Sequence, residues 1–339
     1  MKKIIALALA LIMVFAIGAV GISAHADDTE YKLCCYWPAP DTFFDSYVKK
    51  GFEAFSAEYG RDVEWMVGTD WTQDIENQSV EALAAKGYDL FFIFAADTTG
   101  ANALYKELYD AGCEVVSYAG VVDDPQESAL TYASDVYQMG FDSTEMLIEC
   151  MGGTGKIINV LENLNDVNTQ KRQKGVEDAV ALHEGVEIIQ TIGDIATVDE
   201  GFEKISNVIA ANPDADGIIT TGGTASIALA NALSDYYGSN PDAKHLSAAT
   251  VDQSNEVMEA IKAGYLDYTL AQNGFGMGYL SALTLCYLKD GWEPVEWGKH
   301  INSGSLKITV DNIDSWEADL EQLTQDIKGN IETEILYKP

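Results

Sequence analysis

The chain has 339 residues, with 54 Asp and Glu against 20 Lys and Arg, a net charge of −34 and a sequence pI near 4.1. That length can hold two domains with full-sized cores, and 47% hydrophobic against 22% charged residues excludes a chain disordered throughout. Nucleic-acid binding needs clustered cations to displace counterions from phosphates. This anionic chain has two arginines, Arg61 and Arg172, so DNA and RNA are excluded as partners.

Lys2 and Lys3 precede an apolar run over residues 4–22 that ends in Ser23-Ala24-His25-Ala26. A positive start, an apolar middle and small residues at −3 and −1 predict a secretory signal peptide over 1–26, cut before Asp27. The run also approaches the length of a spanning helix, so a retained anchor stays open as an alternative. Loss of the two lysines takes the net charge from −34 to −36. The expectation is an exported acidic protein, in the periplasm or at the extracellular face of the cell membrane.

From residue 32 onward, short β-branched or aromatic runs alternate with longer helical patterns. Residues 32–37 read as a strand, and 41–59 as an amphipathic helix with Phe44, Val48, Phe52 and Phe55 at helical spacing. Strands follow at 62–68, 90–95 and 114–119, separated by helices at 73–86 and 100–111. The alternation restarts with a strand at 156–162 and a helix ending at 181. Strands at 186–192, 217–221 and 246–251 then enclose helices at 201–211 and 225–236. A later strand covers 268–271, and an acidic helix covers 315–327. Strands alternating with helices of this length imply parallel sheets covered on both faces. Two successive sets imply an α/β protein of two doubly wound lobes. The junction near 131–135 is itself strand-like, which favours short hinge strands over a flexible tether.

The sequence offers no positive sign of catalysis, a metal site or a cofactor. Gly152-Gly153-Thr154-Gly155-Lys156 lacks the spacing of a phosphate loop and runs into a strand where that motif needs a helix. Gly274, Gly276 and Gly278 alternate without the rest of a dinucleotide fingerprint. His183, His245 and His300 stand apart from any metal-spaced partner. The five cysteines (Cys34, Cys35, Cys113, Cys150 and Cys286) match neither a zinc site nor a disulfide framework, and read as small buried hydrophobes.

Open α/β sheets bind ligands outside the carboxyl ends of their strands. Trp37, Phe43 and Phe44 follow the first strand, Asp97 the third, and Tyr118 ends the fourth. In the second set Asn163, Gln170, Thr224 and Asp252 hold equivalent places, and Gln272 follows the strand at 268–271. Aromatic faces beside carboxylate and amide groups suit a polyhydroxylated ligand, whose C–H face packs on a ring while its hydroxyls meet fixed donors and acceptors. Phe43 and Phe44 are consecutive on a helix, so at least one of them should pack inward. Asp97 and Thr224 also suit helix caps.

Asp41-Thr-Phe-Phe44, Ala111-Gly-Cys-Glu-Val-Val116, Tyr132-Ala-Ser-Asp135, Lys171-Arg-Gln-Lys-Gly175, Val251-Asp252, Ala263-Gly-Tyr-Leu266 and Leu270-Ala-Gln272 recur in order. Together they resemble the type I periplasmic substrate-binding proteins, in the ribose/galactose-binding branch that feeds sugar ABC importers. The resemblance covers roughly residues 31–300. It implies two lobes joined by a three-segment hinge, with crossings near 134–135, 272–273 and 299–303. The implied first lobe is 29–134 plus 273–299, and the second 135–272 plus 300–335. Phe43, Phe44, Asp97, Gln170, Thr224, Asp252 and Gln272 match the family's ligand contacts. The resemblance further implies a bacterial, non-enzymatic monomer that binds a small neutral sugar or related solute and delivers it to an ABC permease. Three departures stand out, one of them Thr224 where an asparagine is usual. Ala119 and Gly120 occupy positions where the branch carries Asp-Arg, and Gln170 stands where an arginine is usual. These leave open a non-sugar solute such as a nucleoside, with Trp37, Tyr118 and Trp71 supplying stacking. A sensor that presents its closed form to a receptor or histidine kinase also stays open.

Overall fold

The computed structural model describes residues 31–40, 43–164 and 166–339, so the signal peptide expected over 1–26 lies outside the described residues. Strand β1 (Leu33–Trp37) is buried along its whole length, as a central parallel strand covered on both faces must be. It is followed by a π-helical turn (Phe44–Val48) and α1 (Lys49–Tyr59), then β2 (Val63–Val67), α2 (Gln73–Ala85), β3 (Leu90–Ile93), α3 (Gly100–Asp110), β4 (Glu114–Tyr118) and β5 (Leu130–Ala133). Gly60 ends α1 in the left-handed region at φ 65°, and its N–H closes on Ser56.

The second set is α4 (Val136–Cys150), β6 (Gly155–Val160), α5 (Val167–Ala181), β7 (Val186–Ile192), α6 (Val198–Ala211), β8 (Gly217–Thr220), α7 (Gly223–Ser239), β9 (Ser247–Val251), α8 (Asn255–Lys262) and β10 (Tyr268–Gln272). Asp135, Asp166, Thr197 and Ser254 cap α4, α5, α6 and α8 by accepting from the backbone N–H three residues on. Then come α9 (Gly274–Lys289), β11 (Glu293–Pro294), β12 (Lys299–Asn302), β13 (Ser305–Ile308), α10 (Trp316–Gly329), a π-helical turn (Ile331–Ile335) and β14 (Leu336–Tyr337).

These strands form two six-stranded sheets, ordered β12-β5-β4-β3-β1-β2 and β13-β10-β9-β8-β6-β7. Every pairing within them is parallel except β10 with β13. The protein is therefore two α/β lobes, each built on its own sheet. Three hinge connections join them, after β5, after β10 and after β12, and the last segment returns to the first lobe after α10. The three connections are bonded to one another: Ser134 Oγ donates to the Gly304 carbonyl at 2.7 Å, and the fully buried Asn273 donates from Nδ2 to the Ser303 carbonyl at 2.9 Å.

Helix α9 is apolar all round because it lies between the first sheet and α1, α10 and the chain end. Its glycines serve that packing. A Cβ on Gly278 would run into the Val48 carbonyl, and one on Gly51 of α1 into the Phe275 carbonyl, so the two helices meet backbone to backbone.

The packing departs from the expected second-lobe range of 300–335 at both ends. Strand β12 pairs with β5 in the first sheet, and Ile331, Ile335 and Leu336 join the first lobe's core, where β14 pairs with β11. These late apolar residues fill space beside α9 that the first lobe's own segments leave open. Four of the cysteines are buried and free, as small hydrophobes, but Cys150 is exposed at the end of α4. Among the described residues, no helix is long and apolar enough to cross a membrane.

Candidate functional site

A cleft of about 580 Å³ opens between the carboxyl ends of the two sheets. The first lobe lines it with Trp37 at the end of β1, Phe43, Trp71 from the β2–α2 loop, Phe94 and Ala96 after β3, and Ala119 after β4. Trp37 and Phe94 meet edge to face at 4.7 Å, and Trp71 continues the wall at 5.0 Å from Phe94. Trp71 is 47% exposed at the rim. Gly120 explains how the wall is made: the Phe94 ring lies 2.7 Å from where a Cβ at position 120 would stand. The ring occupies the space that a long side chain at 120 would need.

The second lobe lines the cleft differently. Glu162 and Asn163 follow β6, and Asp166, Asn168, Thr169 and Arg172 come from the start of α5. Thr224 and Ser226 come from the first turn of α7, Asp252, Gln253 and Ser254 follow β9, and Gln272 ends β10. Among the described residues, every carboxylate, amide, hydroxyl and guanidinium lining the cleft belongs to this lobe.

Asp252 stands at φ 69°, a conformation uncommon outside glycine. Its N–H donates to the Leu270 carbonyl, its own carbonyl accepts from Thr269 Oγ1, and its Oδ1 accepts from Gln272 Nε2 at 2.7 Å. Glu162 accepts from the N–H groups of Thr224 and Ala225 at the start of α7. Burial pushes its carboxyl above the usual range. The Asp252 charge adds to that, while the Ala225 and Thr224 N–H groups and Arg172 oppose it. Arg172 is 5% exposed and donates from Nη1 to the Thr221 carbonyl at 3.1 Å. Its Nε, and Nε1 of Trp37, are buried without a partner among the described residues.

Of the residues expected from the sequence, Trp37, Phe43, Trp71, Asn163, Thr224, Asp252 and Gln272 come together at the cleft. Four do not line it. Phe44 is buried in the core behind Trp37, 5.3 Å away between ring centroids. Tyr118 is fully buried and donates to the Tyr36 carbonyl at 3.0 Å. Asp97 is spent on capping, accepting from the N–H groups of Thr99 and Gly100. Gln170 is exposed on α5 and donates to the Leu164 carbonyl. Helical phase explains this last difference: Asn168, Thr169 and Arg172 share the cleft face, and Gln170 points away. Arg172, in the Lys171-Arg-Gln-Lys-Gly175 run, is the guanidinium that faces the cleft.

Phe94, Glu162, Arg172 and Gln253 are cleft residues that the sequence reading misses. Glu162 had a signal, because it ends a predicted strand. Glu76, beneath the wall on α2, had none. It is fully buried, and its Oε2 accepts from the Ala96 N–H at 2.6 Å. No group of three or more His, Cys, Asp or Glu side chains among the described residues could hold a metal ion.

A sequence model of the family described as periplasmic binding protein domain matches residues 36–292. A putative rhizopine-binding protein of Rhizobium meliloti is 23% identical over 267 residues, covering 76% of this chain and 83% of that protein. Among solved structures, a Burkholderia graminis ABC transporter solute-binding protein in complex with D-arabinose superposes with a TM-score of 0.75 at 21% identity, covering 85% of this chain and 98% of that one. A Bacillus halodurans solute-binding protein with bound myo-inositol gives 0.72 at 20% identity, covering 86% and 99%.

Proposed function

We propose that this chain, which belongs to the periplasmic binding protein domain family, is an exported solute-binding protein that encloses a sugar or cyclitol between its lobes and delivers it to an ABC permease. One observation carries the reading: an aromatic wall on one lobe faces a wall of carboxylate, amide, hydroxyl and guanidinium groups on the other, across a cleft of about 580 Å³. A polyhydroxylated ring has faces for the first wall and edges for the second. The D-arabinose and myo-inositol complexes of similar fold, and the rhizopine-binding relative, support the same ligand class.

In this mechanism the ligand touches both walls, so it favours the closed arrangement of the three-segment hinge, and the closed form docks on the permease. The chain binds and releases its ligand unchanged; ATP is hydrolysed by the partner. A thermal-shift screen of the protein without residues 1–26 tests this against monosaccharides, polyols, inositols, nucleosides and amino acids. A true ligand at about 100 times its Kd should add roughly 2.7 kcal/mol. A shift with a sugar or cyclitol, recovered intact by mass spectrometry, supports the reading. A shift confined to nucleosides or amino acids overturns the ligand class, and chemical conversion of the ligand overturns the binding-only role.

A further inference from the structure

A second cavity, of about 50 Å³, lies on the hinge side of the cleft and shares Gln253 and Gln272 with it. Tyr47, Phe275, Trp316 and Leu320 form its apolar side, with Tyr47 and Trp316 meeting edge to face at 5.7 Å. Gln253 is 7% exposed and lies on the wall common to both spaces. Neither its Nε2 nor its Oε1 has a hydrogen-bond partner among the described residues. The neighbouring Gln272 amide is committed, since its Nε2 donates to Asp252. Leaving both ends of a buried amide unpaired is unfavourable, and native proteins avoid it unless something else completes the pairing.

Building on the sugar-binding reading, we propose that Gln253 and this side cavity form a subsite for the exocyclic hydroxymethyl group of a pyranose. The space suits a substituent of about two or three heavy atoms and is far too small for a second ring. A CH₂ group would lie against Tyr47 and Trp316, and its hydroxyl would complete the Gln253 amide. Glu317 and Glu321 also line the cavity, with Lys50 paired to Glu317 at 3.0 Å, so a carboxylate in the same place meets excess negative charge. The subsite therefore selects hexoses over the matching pentoses and over uronic acids.

Isothermal titration with two matched pairs tests this: D-glucose against D-xylose, and D-galactose against L-arabinose, each pair differing only in the hydroxymethyl group. The hexose of at least one pair should bind roughly tenfold or more tightly than its pentose. In Gln253→Leu the ratio should narrow to about threefold or less. Pentoses that bind as tightly as their hexoses in both pairs, in the unmodified protein, overturn the subsite alone, with no variant needed. A hexose preference that survives in a folded Gln253→Leu protein does the same. Binding of none of the four sugars overturns the subsite, and if the screen's stabilising ligand is then neither a sugar nor a cyclitol the proposed function falls with it.

Discussion

Replacing Glu76 by Gln probes how the first lobe holds its wall of the cleft. Through its bond to the Ala96 N–H, Glu76 fixes the segment that carries Phe94 and Ala96. Burial pushes its carboxyl from an ordinary 4.5 up to about 7, against the downward pull of the Ala96 and Gln73 hydrogen bonds. Between those two values the unfolded chain has released this proton while the folded chain keeps it. The folded state holds more protons in that window, so stability falls as pH rises through it, and the full cost is present above about 7. A shift of that size corresponds to about 3 kcal/mol. Glutamine keeps the shape and an acceptor for Ala96 but does not titrate. Urea denaturation of both proteins at about pH 5 and about pH 8 isolates the effect, because the other acidic residues are common to both. The unmodified protein should lose about 2 to 3 kcal/mol more than Glu76→Gln between those conditions. Equal losses, within about 0.5 kcal/mol, would refute the assignment of a buried, proton-holding carboxyl.

Three further outcomes are expected. Asp252→Asn keeps an acceptor for Gln272 but removes the charge, and Gln272→Ala removes the partner that orients Asp252. Each should weaken the best sugar about 10- to 100-fold by titration calorimetry with the fold retained, and affinity within threefold in both variants would remove these residues from the site. Asp97→Ala should lower stability by about 1 kcal/mol through loss of the α3 cap while ligand affinity stays nearly constant; a large affinity loss without destabilisation would return Asp97 to the ligand. Trp71→Ala at the rim should raise the ligand's dissociation rate by roughly fivefold in stopped-flow fluorescence and leave association nearly unchanged, and a slowed association would contradict its role as a closing wall.

The strands were legible because burial on both faces leaves continuous apolar runs such as Leu33–Trp37 and Leu90–Ile93. What could not be read were features whose cause lies on another element. Gly278 has meaning only beside Val48, and spacing within α9 does not reveal that neighbour. Asp97 sits after a strand and before a helix, a place that suits both a ligand contact and a cap; only the Thr99 and Gly100 bonds decide between them. That Arg172 rather than Gln170 faces the cleft follows from helical phase along α5, which Asp166 caps. The apolar run over 90–95 places Phe94 inside a strand, whereas β3 stops at Ile93 and frees the ring to turn into the cleft.

The separation of the two walls bears on how closure is driven. Under the proposed function, hydroxyls leaving water must find partners at once, and the second lobe carries nearly all of those in the cleft, so the ligand would dock there first, on Asp252, Gln272 and Arg172. In that reading the first lobe would add little direction but cover the exposed ring face with Trp37, Phe94 and Trp71. Burying about 60 Å² of apolar ligand surface in that step supplies about 1.5 kcal/mol, which shifts the hinge equilibrium roughly tenfold toward closure. Excluding water over the second wall also strengthens the hydrogen bonds beneath it. The Ala119-Gly120 pair is what permits this arrangement. A bulky side chain at 120 would displace the Phe94 ring, whereas glycine leaves it room against the cleft.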